Sequence, residues 1–293
     1  MIRSYLFVPA DSSRKLEKSL GSQSDALIFD LEDSVALSKK AEARACLDSF
    51  LSQRRCEIDK LVYIRVNDLS TDATLADLAT AMRHQPDGIV LPKSTSADDV
   101  RRLGNYLDAF EVAYAHKGLP VKIVPIVTET SSSLFTLDSY KNTSPRLAGL
   151  MWGAEDLAAD IGATRRKADG RWVGAFSHAR ALCLIASANA GVPAIDAISA
   201  EIADMQLIER EAREAKEDGF SAKAAIHPSQ VDPINDVFTP SDKELDWARR
   251  IIEAFDQGGG VATMDGKMID RPHLRLAERL LAAERTPRNK KTC

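Results

Sequence analysis

The chain has 293 residues, 44% of them hydrophobic and 28% charged, with a net charge of −4. This composition is ordinary for a globular protein with a sizeable core, and the length suits either two average domains or one large α/β barrel. It excludes a nucleic-acid footprint, because the one basic cluster, "RTPRNKK" near Cys293, reads as a solvated tail.

The four cysteines, Cys46, Cys56, Cys183 and Cys293, show neither zinc-ligand spacing nor a disulfide framework and are expected to be reduced thiols. The apolar run in "MIRSYLFVPAD" is too short for a signal peptide or a membrane span. A cytoplasmic protein with no membrane partner is the expectation.

Taken in chain order, eight short apolar runs stand out: "SYLFVP", "ALIFDLE", "LVYIRVN", "GIVLPK", "VKIVPIVTE", "LAGLMWGA", "VPAIDAIS" and "KAAIHP". Amphipathic stretches separate them, at Ser12 to Leu20, Lys40 to Leu51, Thr71 to Met82, Ala97 to Tyr114, Phe176 to Ala190 and Met205 to Asp218. Runs such as "ALIF" and "GIVL" are continuously hydrophobic, as parallel strands buried on both faces must be. Eight β-then-α units in this length predict a (β/α)8 TIM barrel over 1–240. A doubly wound open sheet is the alternative, but "FVPADSSRK" carries no glycine-rich phosphate loop after the first strand. Residues 241–293 add a helix at Asp242 to Phe255, a loop "DQGGGVATMDGKMIDRP", and a helix from Pro272 to about Glu284, an extension that suits a lid or a docking arm.

In a barrel the functional groups sit where strands end. Those positions hold Asp30, Glu32, Asp33, Arg65, Asn67, Lys93, Glu129, Glu155, Asp156, Asp196 and His227. Any one acid there is explained as a helix cap or a loop ion pair; the ring as a whole is not. Carboxylates converging without cysteine and with little histidine offer hard oxygen ligands, which suit Mg2+, with Mn2+ as the other ion, rather than zinc. Glu129, with Asp156 or Glu155, ends the fifth and sixth runs and could share one ion. Arg65 and Lys93 supply positive charge for an anionic substrate or a developing oxyanion. Gly153 would let a substrate approach the backbone.

The same stretches, "RSYLFVPADSSRKLEKSL", "ALIFDLEDSVALSKKAEAR", "YIRVND", "IVLPKS", "PIVTETSSSL", "LMWGAEDLAADIG", "AIHPSQV" and "DGKMIDRPHLRLAERLL", resemble the citrate lyase beta-subunit-like branch of the HpcH/HpaI aldolase superfamily over nearly the whole chain. That resemblance implies a (β/α)8 barrel assembled as a homotrimer or hexamer, with a C-terminal lid reaching a neighbouring subunit's site. It implies Mg2+ on Glu129 and Asp156, leaving Glu155 to a supporting or capping role. It places Arg65 on the thioester carbonyl and enolate, and Asp270 on the lid as a proton-transfer group. It assigns the CoA moiety to Phe7, Pro9, Arg14 and Lys18. Arg14 and Lys18 read equally as a solvated helix face, Asp270 as an N-cap before Pro272, and His227 as structural or substrate-lining. Asp33 stands among the substrate-binding residues, with Glu32 beside it, where the superfamily's pyruvate-class aldolases carry a histidine base. Its absence favours an acyl-CoA lyase over a free 2-oxo-acid aldolase.

The activity so implied is a carbon–carbon (oxo-acid) lyase that cleaves a malyl-CoA, citramalyl-CoA or citryl-CoA type substrate to acetyl-CoA and an oxo acid. The alternatives are a subunit acting on an acyl carrier protein thioester, and a malyl-CoA thioesterase.

Overall fold

A computed structural model describes residues 1–258, 262–264 and 266–284. Eight parallel strands form the centre: β1 (Ser4–Pro9), β2 (Ala26–Asp30), β3 (Leu61–Arg65), β4 (Gly88–Leu91), β5 (Lys122–Pro125), β6 (Leu150–Met151), β9 (Ala194–Asp196) and β10 (Ala222–Ala225). Their order is β5-β4-β3-β2-β1-β10-β9-β6, and parallel bridges Ile123–Leu147 and Ile126–Met151 join the two ends. The sheet therefore closes, and the expected (β/α)8 barrel is the fold.

Every residue of β2, β4, β9 and β10 is buried, because each strand faces two apolar layers. Tyr5, Ile28, Tyr63, Val90, Val124, Met151 and Ile195 fill the barrel interior. Their neighbours Leu6, Val8, Leu27, Phe29, Val62, Ile64 and Ile89 pack outward on the helices. This period of two decides which strand-end side chains point into the barrel mouth.

The surrounding helices are α1 (Ser13–Leu20), α2 (Lys40–Arg54), α3 (Ala73–Met82), α4 (Ala97–Ala113), α5 (Glu155–Asp160), α6 (Ala175–Ala190), α7 (Met205–Asp218) and α8 (Val231–Phe238). Local chemistry sets their ends. Ser12 and Asp204 accept the N–H groups of Lys15 and Leu207, and Gly191 and Gly219 terminate α6 and α7 at positive φ. Between β5 and β6 the serine-rich "SSSLFTLDSY" forms two 3-10 turns, Ser132–Phe135 and Leu137–Tyr140, in place of a full helix. The sequence reading did not separate α8, whose Pro233 lies in the first turn, where proline is tolerated. It also missed the hairpin of β7 (Lys167–Ala168) and β8 (Arg171–Trp172), closed by Asp169 and Gly170 at φ 50° and 77°. Asp-Gly is the dipeptide a two-residue turn with both residues at positive φ demands.

Beyond the barrel, α9 (Asp242–Gly258) and α10 (Arg271–Glu284) pack on a hairpin of β11 (Ala262–Met264) and β12 (Lys267–Ile269), where a loop was expected. Ala248, Ile251, Ile269 and Ala277 form their own apolar cluster, and Lys216 of α7 pairs with Glu244 of α9 at 3.0 Å. Cys46 and Cys183 are free. The basic tail and Cys293 lie outside the described residues. Among the described residues, no helix is long and apolar enough to cross a membrane.

One contact inside the barrel gives a direct test of the packing. A Cβ on Gly88 would lie 2.3 Å from Cε1 of Tyr63 and 3.0 Å from the carbonyl oxygen of Lys122. Gly88→Ala should cost about 1–3 kcal/mol of stability in a denaturant titration. Parental stability would show that Tyr63 does not cover this glycine.

Candidate active site

The rim is built from inward-facing residues toward the ends of the first three strands. Asp30 follows Ile28 by two, Arg65 follows Tyr63 by two, and Phe7 follows Tyr5 by two, so all three continue the interior columns. The β2–β3 register sets Asp30 opposite Arg65. Nε and Nη2 of Arg65 each donate to Asp30 at 2.7 Å, Nη1 meets Glu32 at 2.9 Å, and the guanidinium lies 4.9 Å from the centre of the Phe7 ring. Asp30 also accepts the backbone N–H groups of Glu32 and Ser34. Burial pushes the Asp30 carboxyl up, but the Arg65 charge and the hydrogen bonds from Arg65, Ser34 and Glu32 together outweigh it and hold the group below the usual carboxylate range. Burial opposes the charge on Arg65 as well, and Asp30 and Glu32 more than restore it.

Lys93, after β4, extends this network. Its backbone is held at φ 51°, an uncommon conformation for a residue with a Cβ, and its N–H donates to Oε2 of Glu129 at 2.5 Å. Its ammonium group meets Glu32 closely and reaches Asp33 and Asp156 at 3.3 Å each. Glu32 is raised by burial despite Arg65 and Lys93.

Glu129, after β5, is only 5% exposed. Burial is the largest cause of a carboxyl pushed up to about 8, and the Asp156 charge adds to it against Arg65 and Lys93. Asp156 lies in the first turn of α5. Glu155, its neighbour, is exposed and pairs with Arg166, so the two acids sit in unequal surroundings. A Cβ on Gly153 would come within 3.0 Å of Cγ of Glu129 and 3.3 Å of its Oε1. The space beside Gly153 is thus taken by the Glu129 side chain, which corrects the expectation that a substrate approaches the backbone there. Thr128, which the sequence reading did not single out, hydrogen-bonds both backbone groups of Gly153 at 3.0 Å.

The donor set can be matched to a metal on its own chemistry. Among the described residues no group of three or more His, Cys, Asp or Glu is placed to hold a metal ion by itself. A buried carboxyl lifted by its own surroundings, beside a second, half-buried acid, is relieved by a cation. Mg2+ takes one or two protein carboxylates and keeps its waters. Glu129 and Asp156 fit it.

The remaining strand-end residues divide clearly. Phe7 and Pro9 are half-buried at the end of β1; Arg14 and Lys18 are exposed on α1, four residues apart and so on one face. Asp33 is exposed at the rim and meets only the Lys93 ammonium among described ion pairs. Asp196 points outward, where Trp152 Nε1, Arg180 and Lys223 hold it at 2.7, 3.1 and 2.7 Å. Asn67 is tied to Asp77, and His227 caps the turn Pro228–Gln230. Asp270 stands at the start of α10, its carboxylate 2.6 Å from Nδ1 of His273. Its described hydrogen bonds do not reach the rim.

Comparison with known proteins places this geometry. Residues 3–228 match the family model described as HpcH/HpaI aldolase/citrate lyase, and residues 173–286 match one described as a C-C bond lyase of the TIM-barrel fold. The chain is 33% identical over 287 residues to the (3S)-malyl-CoA thioesterase of Cereibacter sphaeroides, covering 96% of this chain and 93% of that one. It is 32% identical over 284 residues to citrate lyase subunit beta of Escherichia coli, covering 96% and 92%. The crystal structure of CitE from Mycobacterium tuberculosis in complex with magnesium, acetoacetate and coenzyme A superposes with a TM-score of 0.78 at 30% identity, covering 96% and 97%. The chain belongs to the HpcH/HpaI aldolase/citrate lyase family.

Proposed function

We propose that the protein is a Mg2+-dependent lyase that cleaves a 3-hydroxy, carboxylated acyl-CoA of the malyl-, citramalyl- or citryl-CoA type to acetyl-CoA and an oxo acid. The observation that carries this reading is the convergence of buried Glu129 and half-buried Asp156 with an arginine locked in place by Asp30 and Glu32. Glu129 and Asp156 are assigned to the metal, which supplies Lewis-acid polarisation of a substrate oxygen when bound. Two N–H groups of Arg65 donate to Asp30 and Nη1 pairs with Glu32, so the guanidinium has further donors for a thioester oxygen.

Cleavage removes the proton of the substrate hydroxyl, breaks the adjacent carbon–carbon bond, and leaves its electron pair on the thioester as an enolate. Arg65 stabilises the charge on the enolate oxygen without having to reorganise, because its own position is already fixed. Asp270 is assigned the hydroxyl proton, presented to the site of a neighbouring subunit by the 241–293 extension of a cytoplasmic homotrimer or hexamer whose 1–240 unit is the barrel. Phe7, Pro9, Arg14 and Lys18 hold the CoA arm, the two cations facing its phosphates, and Asp33 with Lys93 borders the acyl group. The magnesium and coenzyme A named with the M. tuberculosis structure support both assignments.

A second reading, hydrolysis of the thioester at the same site, is favoured by the relatives named (3S)-malyl-CoA thioesterase. Relatives named citrate lyase subunit beta favour a third, in which an acyl carrier protein bears the thioester.

Incubation of the purified protein with malyl-, citramalyl- and citryl-CoA, with and without EDTA, separates these. Mass spectrometry should find acetyl-CoA and the matching oxo acid, with turnover abolished by EDTA. Free CoA with an intact hydroxy acid would identify a thioesterase, and turnover indifferent to chelation would remove the metal. The Glu129 carboxyl gives a second check in chelator-treated protein. Its folded value near 8 lies above the ordinary 4.5, so between these the folded chain holds more protons than the unfolded chain and stability falls as pH rises, by at most about 1.4 kcal/mol per pH unit. Glu129→Gln should remove this fall, raising the unfolding temperature at pH 8 while changing it little at pH 4. Parallel pH profiles for the two proteins would contradict the burial of this carboxyl.

A further inference from the structure

The barrel is least firmly joined where the two proposed metal carboxylates meet. β5 and β6 touch through the isolated bridges Ile123–Leu147 and Ile126–Met151, whereas each other neighbouring pair shares at least two consecutive partners. Just beyond the second bridge Val127 N–H donates to the Met151 carbonyl at 2.9 Å. One residue further on, a side chain takes over from the backbone. The Thr128 hydroxyl donates to the Gly153 carbonyl at 3.0 Å and accepts the Gly153 N–H at 3.0 Å.

Thr128 is fully buried. Glu129 follows it directly, and Gly153 precedes Asp156 by three residues. The Glu129 side chain lies so close to Gly153 that no Cβ would fit without movement. On the other side Trp152 is anchored through its indole N–H to Asp196 at 2.7 Å. The loop that carries Asp156 is therefore pinned at Trp152 from outside the barrel and at Gly153 from the β5 side.

We infer that Thr128 is a positioning residue whose hydroxyl sets the separation of Glu129 and Asp156, an inference that rests on the reading of that pair as the Mg2+ site. Valine has nearly the same shape but no hydroxyl, so Thr128→Val keeps the packing and breaks both hydrogen bonds to Gly153; Thr128→Ser keeps the bonds and loses a methyl group.

The test is isothermal titration of the metal-free full chain with MgCl2. Thr128→Val should weaken Mg2+ binding about tenfold or more, and Thr128→Ser should stay within about twofold of the parent, the range expected when a support behind a metal ligand is lost or kept. A purely structural threonine would lower the unfolding temperature of both variants and leave both affinities alone. Parental Mg2+ affinity in Thr128→Val overturns the inference. Thr128→Ala carries the same prediction if the valine variant does not fold. Failure of the parent to bind Mg2+, or equal binding by Glu129→Gln, overturns the Glu129–Asp156 reading itself and this inference with it.

Discussion

The pairing of Asp30 with Arg65 is the interaction on which the rim depends. It exists because β2 and β3 align with these residues opposite one another, both on the inward parity of their strands. A slip of one residue would turn the arginine out among the helices. Once formed, the pair organises its neighbours: Asp30 accepts the N–H of Glu32 and so folds the chain back until Glu32 meets Arg65. Lys93 then joins Glu32 to Asp156. The result is a chain of alternating charge, Asp30, Arg65, Glu32, Lys93 and Asp156, running from β2 past the ends of β3 and β4 to α5. Removing Asp30 or Arg65 strands its buried partner away from water, which costs more than the pair contributes.

Much of the fold was legible in the sequence, for one reason. Parallel strands covered on both faces are continuously apolar, and all eight such runs became barrel strands. The same property hid part of the site. In "ALIFD" or "AID" both faces are apolar, so nothing in the pattern tells whether the terminal acid points into the mouth or toward the helices. Asp30 points in and organises Arg65; Asp196 points out and holds Trp152, Arg180 and Lys223. The small hairpin at 167–172 was legible through its Asp-Gly dipeptide and was passed over because its strands have two residues each. Thr128 carries no sequence signal, since its role comes from the approach of two strands distant in the chain.

The electrostatics give the site its direction. Arg65 is kept charged and Asp30 ionised by each other, whereas Glu129 is left with a buried carboxyl that its surroundings do not favour in ionised form. The Lys93 N–H, aimed at Glu129 by a backbone conformation uncommon outside glycine, fixes the carboxyl without neutralising it. The divalent cation proposed for Glu129 and Asp156 would complete the balance. Arg65 keeps further N–H donors, which the proposed reaction would use for charge developing on a thioester oxygen.

The most direct measurement of this account is a crystal structure of the protein grown with Mn2+ and recorded at the manganese absorption edge. An anomalous peak bonded to one carboxylate oxygen each of Glu129 and Asp156 is expected, with Lys93 drawn away from Asp156. A peak bound elsewhere, or an ion-free pair with Lys93 still on Asp156, would contradict it.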